Sequence, residues 1–330
     1  MKKIINQPDQ VVDQMLDGLS FAYDSIVMRL PQTTVIARKY QKNGKVGLVS
    51  GGGSGHEPSH AGFVGRGMLS AAVCGQVFTS PTPDQILEGI KAADEGAGVF
   101  LIIKNYTGDV LNFEMAKDLA ELEDITVDFI VVDDDIAVED STFTTGRRGV
   151  AGTVFMHKIL GSAAEAGASL EEIKRLANQV NEQLFSIGLA LSPATNPEVG
   201  KPGFELGDKE IEFGIGIHGE PGYRREALQP SHELAEEFVT KLKKEAGWQA
   251  GDRLALLVNG MGATPLMEQF VFMNDVKQLL VDQEQLELSF IKVGDYMTAI
   301  DMAGLSLTLL KLTDERWLDH LNSAVDVIGW

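Results

Sequence analysis

Short apolar runs alternate with longer amphipathic stretches from one end of the chain to the other. The runs at residues 46–50, 99–103 and 127–132 each open into a glycine-rich or polar cluster, and residues 187–191, 213–217, 254–258, 286–291 and 305–310 have the same strand-like character. Between them, residues 83–93, 113–121, 152–165, 170–183, 234–245 and 265–280 place apolar side chains at helical spacing. Strand-then-helix alternation of this kind predicts α/β architecture with mixed, largely parallel sheets. A length of 330 residues suggests about two domains. A fresh strand follows a long helical stretch near residues 178–186, which predicts an N-terminal α/β domain over 1–184 and a C-terminal one over 185–330. Loops that follow parallel strands gather at one sheet edge, where ligands bind in such folds.

Composition narrows the picture. Hydrophobic residues make up 44% and charged residues 23%, the balance of a globular protein with a core of its own. Cys74 is the only cysteine, so no intrachain disulfide or thiolate metal cluster can form, and a reducing cytoplasm is expected. Met1-Lys2-Lys3 leads into no apolar segment, and no stretch approaches the roughly 20 apolar residues of a membrane span; neither a signal peptide nor a membrane location is expected. A formal net charge of -20 argues against nucleic acid and anionic lipid as partners, and it repels free nucleotide.

Four loops carry candidate chemistry. Gly51-Gly52-Gly53-Ser54-Gly55-His56-Glu57-Pro58 lets backbone approach a ligand closely, but it lacks the Gly-Lys-Ser/Thr ending of a phosphate loop. Glycines alone also fit a tight turn. His56, expected at the strand edge with nothing apolar around it, favours a functional loop. In Lys104-Asn105-Tyr106-Thr107-Gly108-Asp109, Lys104 can anchor a small polar molecule and Asp109 can act as general base for a hydroxyl; Asp109 also suits a helix N-cap. Asp133-Asp134-Asp135, followed by Glu139 and Asp140, suggests either Mg²⁺ or a capped and solvated loop, and the second is favoured without a phosphate loop.

The fourth loop, Gly214-Ile215-Gly216-Ile217-His218-Gly219-Glu220-Pro221-Gly222, puts His218 at the end of an apolar strand. An isolated strand histidine is ordinarily structural. A neutral imidazole nitrogen so mounted can instead add to a carbonyl carbon, provided the alkoxide is stabilised. The similar His-Glu-Pro and His-Gly-Glu-Pro strings pair this loop with the first. His60, His157, His232 and His320 receive no role. Pro58 interrupts the helical spacing of His56 and His60, so no metal site is assigned.

Taken together with Phe78-Thr79-Ser80-Pro81-Thr82-Pro83, Gly146-Arg147-Arg148-Gly149 and Asn259-Gly260-Met261-Gly262-Ala263-Thr264-Pro265, these strings resemble the ketone-binding K domain of the dihydroxyacetone kinase family over essentially the whole chain. The resemblance implies that dihydroxyacetone is held as a hemiaminal on His218, with His56 beside it and Asp109 as general base. It implies that Gly53, Ser54, Gly55, His56, Lys104 and Asp109 contact the ketone. Only a carbonyl compound can form such a bond, so glycerol is rejected by reactivity rather than by shape.

Single-chain members of the family carry a further helical nucleotide-binding domain. None follows Trp330, which leads us to expect the stand-alone subunit of the phosphoenolpyruvate-dependent system. There a separate L subunit holds ADP/ATP with Mg²⁺, an M-type phosphotransferase subunit recharges it, and the K subunit is a homodimer with no cofactor of its own. The acidic triplet then has no metal to hold. The alternative is a dihydroxyacetone-sensing coactivator of a transcription regulator, which needs the capturing histidine but no proton acceptor. A third reading, a stand-alone nucleotide enzyme, requires ATP affinity in the isolated chain.

Overall fold

A computed structural model describes residues 2–39, 44–137, 146–220 and 222–330. Met1, Glu139, Asp140 and Pro221, each part of a string read above, lie outside the described residues. The first sheet contains β1 (Val27–Arg29), β2 (Val35–Arg38), β3 (Gly47–Ser54), β4 (Ala71–Val77), β5 (Val99–Lys104) and β6 (Val127–Val132), in the order β1-β2-β4-β3-β5-β6. The second contains β7 (Leu184–Ala190), β8 (Glu210–Phe213), β9 (Arg224–Ala227), β10 (Arg253–Gly260), β11 (Glu287–Gly294) and β12 (Gly304–Lys311), in the order β11-β10-β12-β7-β8-β9. The helices among the described residues are α1 (Val11–Ala22), α2 (Pro83–Ala93), α3 (Thr107–Glu121), α4 (Thr153–Glu165), α5 (Leu170–Asn181), α6 (Ser231–Ala246), α7 (Leu266–Lys277) and α8 (Glu315–Asn322).

The expected pair of α/β units with mixed sheets is therefore present. Parallel pairing is concentrated in the first sheet, where β4, β3, β5 and β6 run the same way. In the second sheet β10 and β11 are parallel, and the other pairings are antiparallel. Helix α4 lies at the centre: Thr153 through Ala164 are all buried, including His157 and Lys158. A helix covered on every side reads as apolar all round. The largest apolar cluster takes Phe100 from β5, Phe155 from α4, Leu257 from β10 and Trp317 from α8, so it bridges the two halves of the chain. The last residues return to the first half, where Ile328 N–H donates to Gly62 O at 3.0 Å. No helix among the described residues is long and apolar enough to cross a membrane.

Two boundaries matter for the site. Strand β3 continues through the glycines to Ser54, so the expected loop is mostly strand. Strand β8 stops at Phe213, so His218 sits five residues beyond it in a loop rather than at a strand end. The apolar character of Ile215 and Ile217 reflects burial of that loop, not strand pairing.

Candidate functional site

Strand β3 lies flat against a buried ion pair. Lys104, fully buried at the end of β5, donates from Nζ to Gly51 O at 2.8 Å and to Asp109 Oδ2 at 3.3 Å. A Cβ on Gly52 would fall 2.5 Å from Lys104 Nζ, and the φ of +140° there is one that other residues rarely adopt. Glycine at 52 is therefore what lets the backbone close over Lys104 and Asp109. Asp109 does not sit in a loop or cap the helix: α3 begins at Thr107 behind an N-cap at Tyr106, and Asp109 lies in its first turn. The helix dipole favours a carboxylate there. Its Oδ1 accepts a hydrogen bond from Ser80 Oγ.

His56 is buried rather than exposed at a polar edge, and its ring stacks 5.3 Å from that of Phe78. Nδ1 lies 2.8 Å from Thr298 O, a carbonyl that can only accept. The proton is thus on Nδ1, and Nε2 keeps its lone pair, buried and without a partner among the described residues. Burial, followed by the charges of His218 and Lys104, holds the His56 pKa well below its ordinary value. The partner carbonyl belongs to the segment linking β11 to β12, which also caps the glycine strand: Thr298 N–H donates to His56 O at 3.2 Å and Ile300 N–H to Gly55 O at 2.8 Å. Asn259 holds that segment in place. Its Oδ1 accepts from the N–H groups of Tyr296 at 2.9 Å and Met297 at 2.8 Å.

His218 is packed edge-on against three rings, with centroids 4.5 Å from Tyr106, 4.8 Å from His56 and 5.4 Å from Phe78. Its Nδ1 lies 3.0 Å from Glu220 Oε1, and its backbone N–H donates to Glu220 Oε2 at 3.1 Å. An ionised carboxylate only accepts, so His218 carries a proton on Nδ1, and in its neutral form the ring presents Nε2 as a lone pair. Burial raises the Glu220 pKa, but the His218 imidazole and the Arg148 guanidinium outweigh it and hold it at about 2.

A lowered carboxylate pKa stabilises the fold above its ordinary value of 4.5, and that contribution is lost as pH falls through about 2. Glu220→Gln removes it. The gap in melting temperature between wild type and Glu220→Gln is expected to be widest above about pH 5 and to shrink toward about pH 2. A gap that is constant with pH in thermal melts would show that Glu220 is not held as this buried anion.

The cleft beside these groups has a volume of about 630 Å³ and is lined by Gly53, Phe78, Ser80, Tyr106, Asp109 and His218 among others. Gly53, Asp109 and His218, far apart in sequence, are brought to one opening. Lys104 and His56 lie directly behind it. Ser54 and Gly55 do not reach it: Ser54 Oγ donates to Gly75 O at 2.7 Å, and both residues line a separate recess of about 110 Å³ with Val11 and Ile300.

The acidic triplet is buried rather than solvated at two of its three positions. Asp134 accepts from the N–H groups of Val150 and Gly152, each at 2.8 Å, and burial still raises its pKa to about 6. Asp135 pairs with the buried Arg148 at 2.6 Å. Both carboxylates therefore brace the loop carrying Arg148, whose Nη2 also donates to Gly214 O at 2.7 Å at the start of the His218 loop. Asp133 accepts from Asn181 Nδ2 at 2.7 Å.

Sequence reasoning missed Glu220, Ser80, Phe78 and Tyr106 as parts of the site. Glu220 stands two residues from His218, and Ser80 and Phe78 lie in a string already noted as unusual. It also gave His60 and His157 no role, although both are buried and linked to Lys104.

The Dak1 domain model matches residues 17–329. The chain belongs to the Dak1 family. This Dak1 chain is 65% identical over 329 residues to the dihydroxyacetone-binding subunit DhaK of a PTS-dependent dihydroxyacetone kinase from Lactococcus lactis, covering 100% of this chain and 99% of that protein. It is 44% identical over 330 residues to the DhaKLM operon coactivator DhaQ of the same organism, covering 99% and 100%. Among solved structures, the dihydroxyacetone kinase of C. freundii in complex with AMP-PNP and Mg²⁺ superposes with a TM-score of 0.92 at 34% identity, over 100% of this chain and 60% of that one. The Dak1 relationship thus extends across both sheets, and the resemblance to dihydroxyacetone kinase K subunits holds.

Proposed function

We propose that this chain is the dihydroxyacetone-binding subunit of a phosphoenolpyruvate-dependent kinase and that it captures its substrate covalently on His218. The observation that carries the proposal is the fixed tautomer of His218, whose Nε2 lone pair shares a cleft with the carboxylate of Asp109. In this reading Nε2 bonds to C2 of dihydroxyacetone and the carbonyl π electrons pass to oxygen, which takes a proton from solvent water to become the hemiaminal hydroxyl. The positive charge left on the ring is balanced by the Glu220 carboxylate. His56, with its free Nε2, is the basic group beside the adduct. Fixing C2 holds a terminal hydroxyl near Asp109, which removes its proton as the phosphoryl group arrives.

Residues 1–184 would supply the glycine strand, Lys104 and Asp109, and residues 185–330 would supply His218. Gly53 is kept as a ketone contact, while Ser54 and Gly55, whose recess lies apart from the cleft, would act by holding the strand that carries it. The nucleotide with Mg²⁺ would reside on an L subunit recharged by an M-type subunit, with the reaction in the cytoplasm. The homodimer would have exposed apolar area available on α7, at Leu266, Met267, Phe270 and Val271. Full-length similarity to a protein named as a separate dihydroxyacetone-binding subunit supports this division of labour.

The expected result is that purified chain with dihydroxyacetone and ATP makes no dihydroxyacetone phosphate, and does so once nucleotide-loaded L subunit is added. Turnover by the chain alone would overturn the division. The coactivator reading draws on 44% identity to DhaQ. It predicts ketone binding with no rate under the same assay, plus binding to a transcription regulator. The 65% identity to a kinase subunit, with Asp109 and His56 both in place, favours the kinase.

A further inference from the structure

Behind the glycine strand, Lys104 heads a buried chain of three basic side chains, of which the catalytic proposal uses neither histidine. Lys104 Nζ lies 3.0 Å from His60 Nε2, and His60 Nδ1 lies 2.9 Å from His157 Nε2 on the central helix α4. All three are buried, with Lys104 and His157 fully enclosed and His60 at 4% exposure. The two imidazoles meet edge-on, with centroids 5.1 Å apart. We infer that His60 and His157 are positioning residues that hold the Lys104 ammonium against Asp109. This inference rests on the reading of Asp109 as the proton acceptor.

The hydrogen-bond inventory sets the protons. An ammonium has three donors and no acceptor, and Lys104 has three partners: Gly51 O, Asp109 Oδ2 and His60 Nε2. His60 must therefore accept at Nε2 and carry its proton on Nδ1. That proton goes to His157 Nε2, which places the His157 proton on Nδ1, a buried atom with no partner among the described residues, so the assignment is set at the Lys104 end of the chain. The opposite assignment, with Nε2 protonated on both rings, requires a neutral Lys104 amine. It would leave Asp109 as a buried anion without its counter-charge, a costly arrangement. The groups facing His60 are Lys104 from β5, His157 from α4 and His56 from its own segment; Asp109 from α3 is reached through Lys104. Burial, then the charge of Lys104, holds His60 well below its ordinary pKa, and the same two causes bring His157 to about 3. Both rings thus stay neutral and can keep these roles across physiological pH.

The chain matters because Asp109 has to remain an anion poised at one place, and Lys104 is what poises it. A lysine has a flexible stem, so its head stays in one geometry only if each donor has a fixed acceptor. His157, rooted in the helix buried on all sides, supplies the rigid end.

The test uses the full chain labelled with ¹⁵N-histidine and long-range ¹H–¹⁵N correlations, with the signals assigned by His60→Gln and His157→Gln. The expected spectrum has two neutral imidazoles, both protonated on Nδ1, unchanged between about pH 5 and about pH 8. Nε2-protonated rings, or titration near the ordinary 6.5, would overturn the inference. Neither result depends on ketone capture, so this arm stands apart from the proposed function.

In the second arm, turnover is measured with nucleotide-loaded L subunit. His60→Leu deletes the acceptor and is expected to lower kcat by about tenfold to a hundredfold while KM moves less. His60→Gln, whose amide oxygen can take the place of Nε2, should recover most of the rate. A folded His60→Leu protein with unchanged kcat, or one whose lost rate His60→Gln does not recover, would refute the role. Should His60→Leu not fold, the tautomers of the wild type decide.

Discussion

His218→Ala is expected to abolish covalent capture of dihydroxyacetone and to lower kcat/KM by at least about a thousandfold. The magnitude follows from what the bond supplies. Holding a reactant at one point is worth effective molarities of about 10⁵ M or more, and in the proposed mechanism the bond to Nε2 would orient the terminal hydroxyl. The measurement is ¹³C resonance with ketone labelled at C2. In wild type the carbon should move from the ketone region to the sp³ region; in His218→Ala it should stay where it is in free ketone. Glycerol should compete poorly with the ketone on wild type and better on the variant, because discrimination by a bond the wrong substrate cannot form is then lost. A wild-type spectrum without the shifted signal would refute capture. His218 sits in a loop and is partly exposed, but its loss leaves the buried Glu220 carboxylate with Arg148 as its remaining charged partner, so a folded protein with a lower melting temperature is expected.

Asp109→Asn should separate capture from transfer. The ¹³C shift is expected to persist, because His218 and Glu220 are untouched, while kcat with nucleotide-loaded partner falls by about 10²-fold to 10⁴-fold, the usual contribution of a positioned general base. The structure adds a second consequence. Asp109 accepts from both Ser80 Oγ and Lys104 Nζ, and an amide has one oxygen to offer where the carboxylate has two. Lys104 would then be a buried cation without an anion, so a lower melting temperature is expected as well. Retained turnover would remove Asp109 as the base. Loss of the ¹³C shift along with turnover would instead make Asp109 part of capture.

Most elements were legible because their signals are local. Helix α2 follows from a Pro-Asp start and apolar residues at helical spacing, and its bounds come out as expected at Pro83–Ala93. Strands β5 and β6 follow from apolar runs buried in the first sheet. Local reading failed where burial came from elsewhere. Residues 214–217 look like strand because they are covered by the rest of the fold, not because they pair. Asp134 and Asp135 look solvated because their partners, the Val150 N–H and Arg148, lie more than ten residues away.

The sequence by itself determined the α/β class, the family resemblance and the chemical types available: a glycine strand, a lysine and an aspartate on one connection, and a histidine followed two residues later by a glutamate. These are properties of contiguous strings, and local propensity and motif are written in such strings. Only the tertiary structure decided which atoms are free to react. The Nδ1 proton of His56 is assigned by a carbonyl 242 positions away, at Thr298. Lys104 is linked to His60 and, through it, to His157, two residues that nothing in the sequence joins to it. Tautomer, charge and the direction of a lone pair depend on the nearest hydrogen-bond partner in space, and in a buried site that partner comes from distant segments packed together by the core.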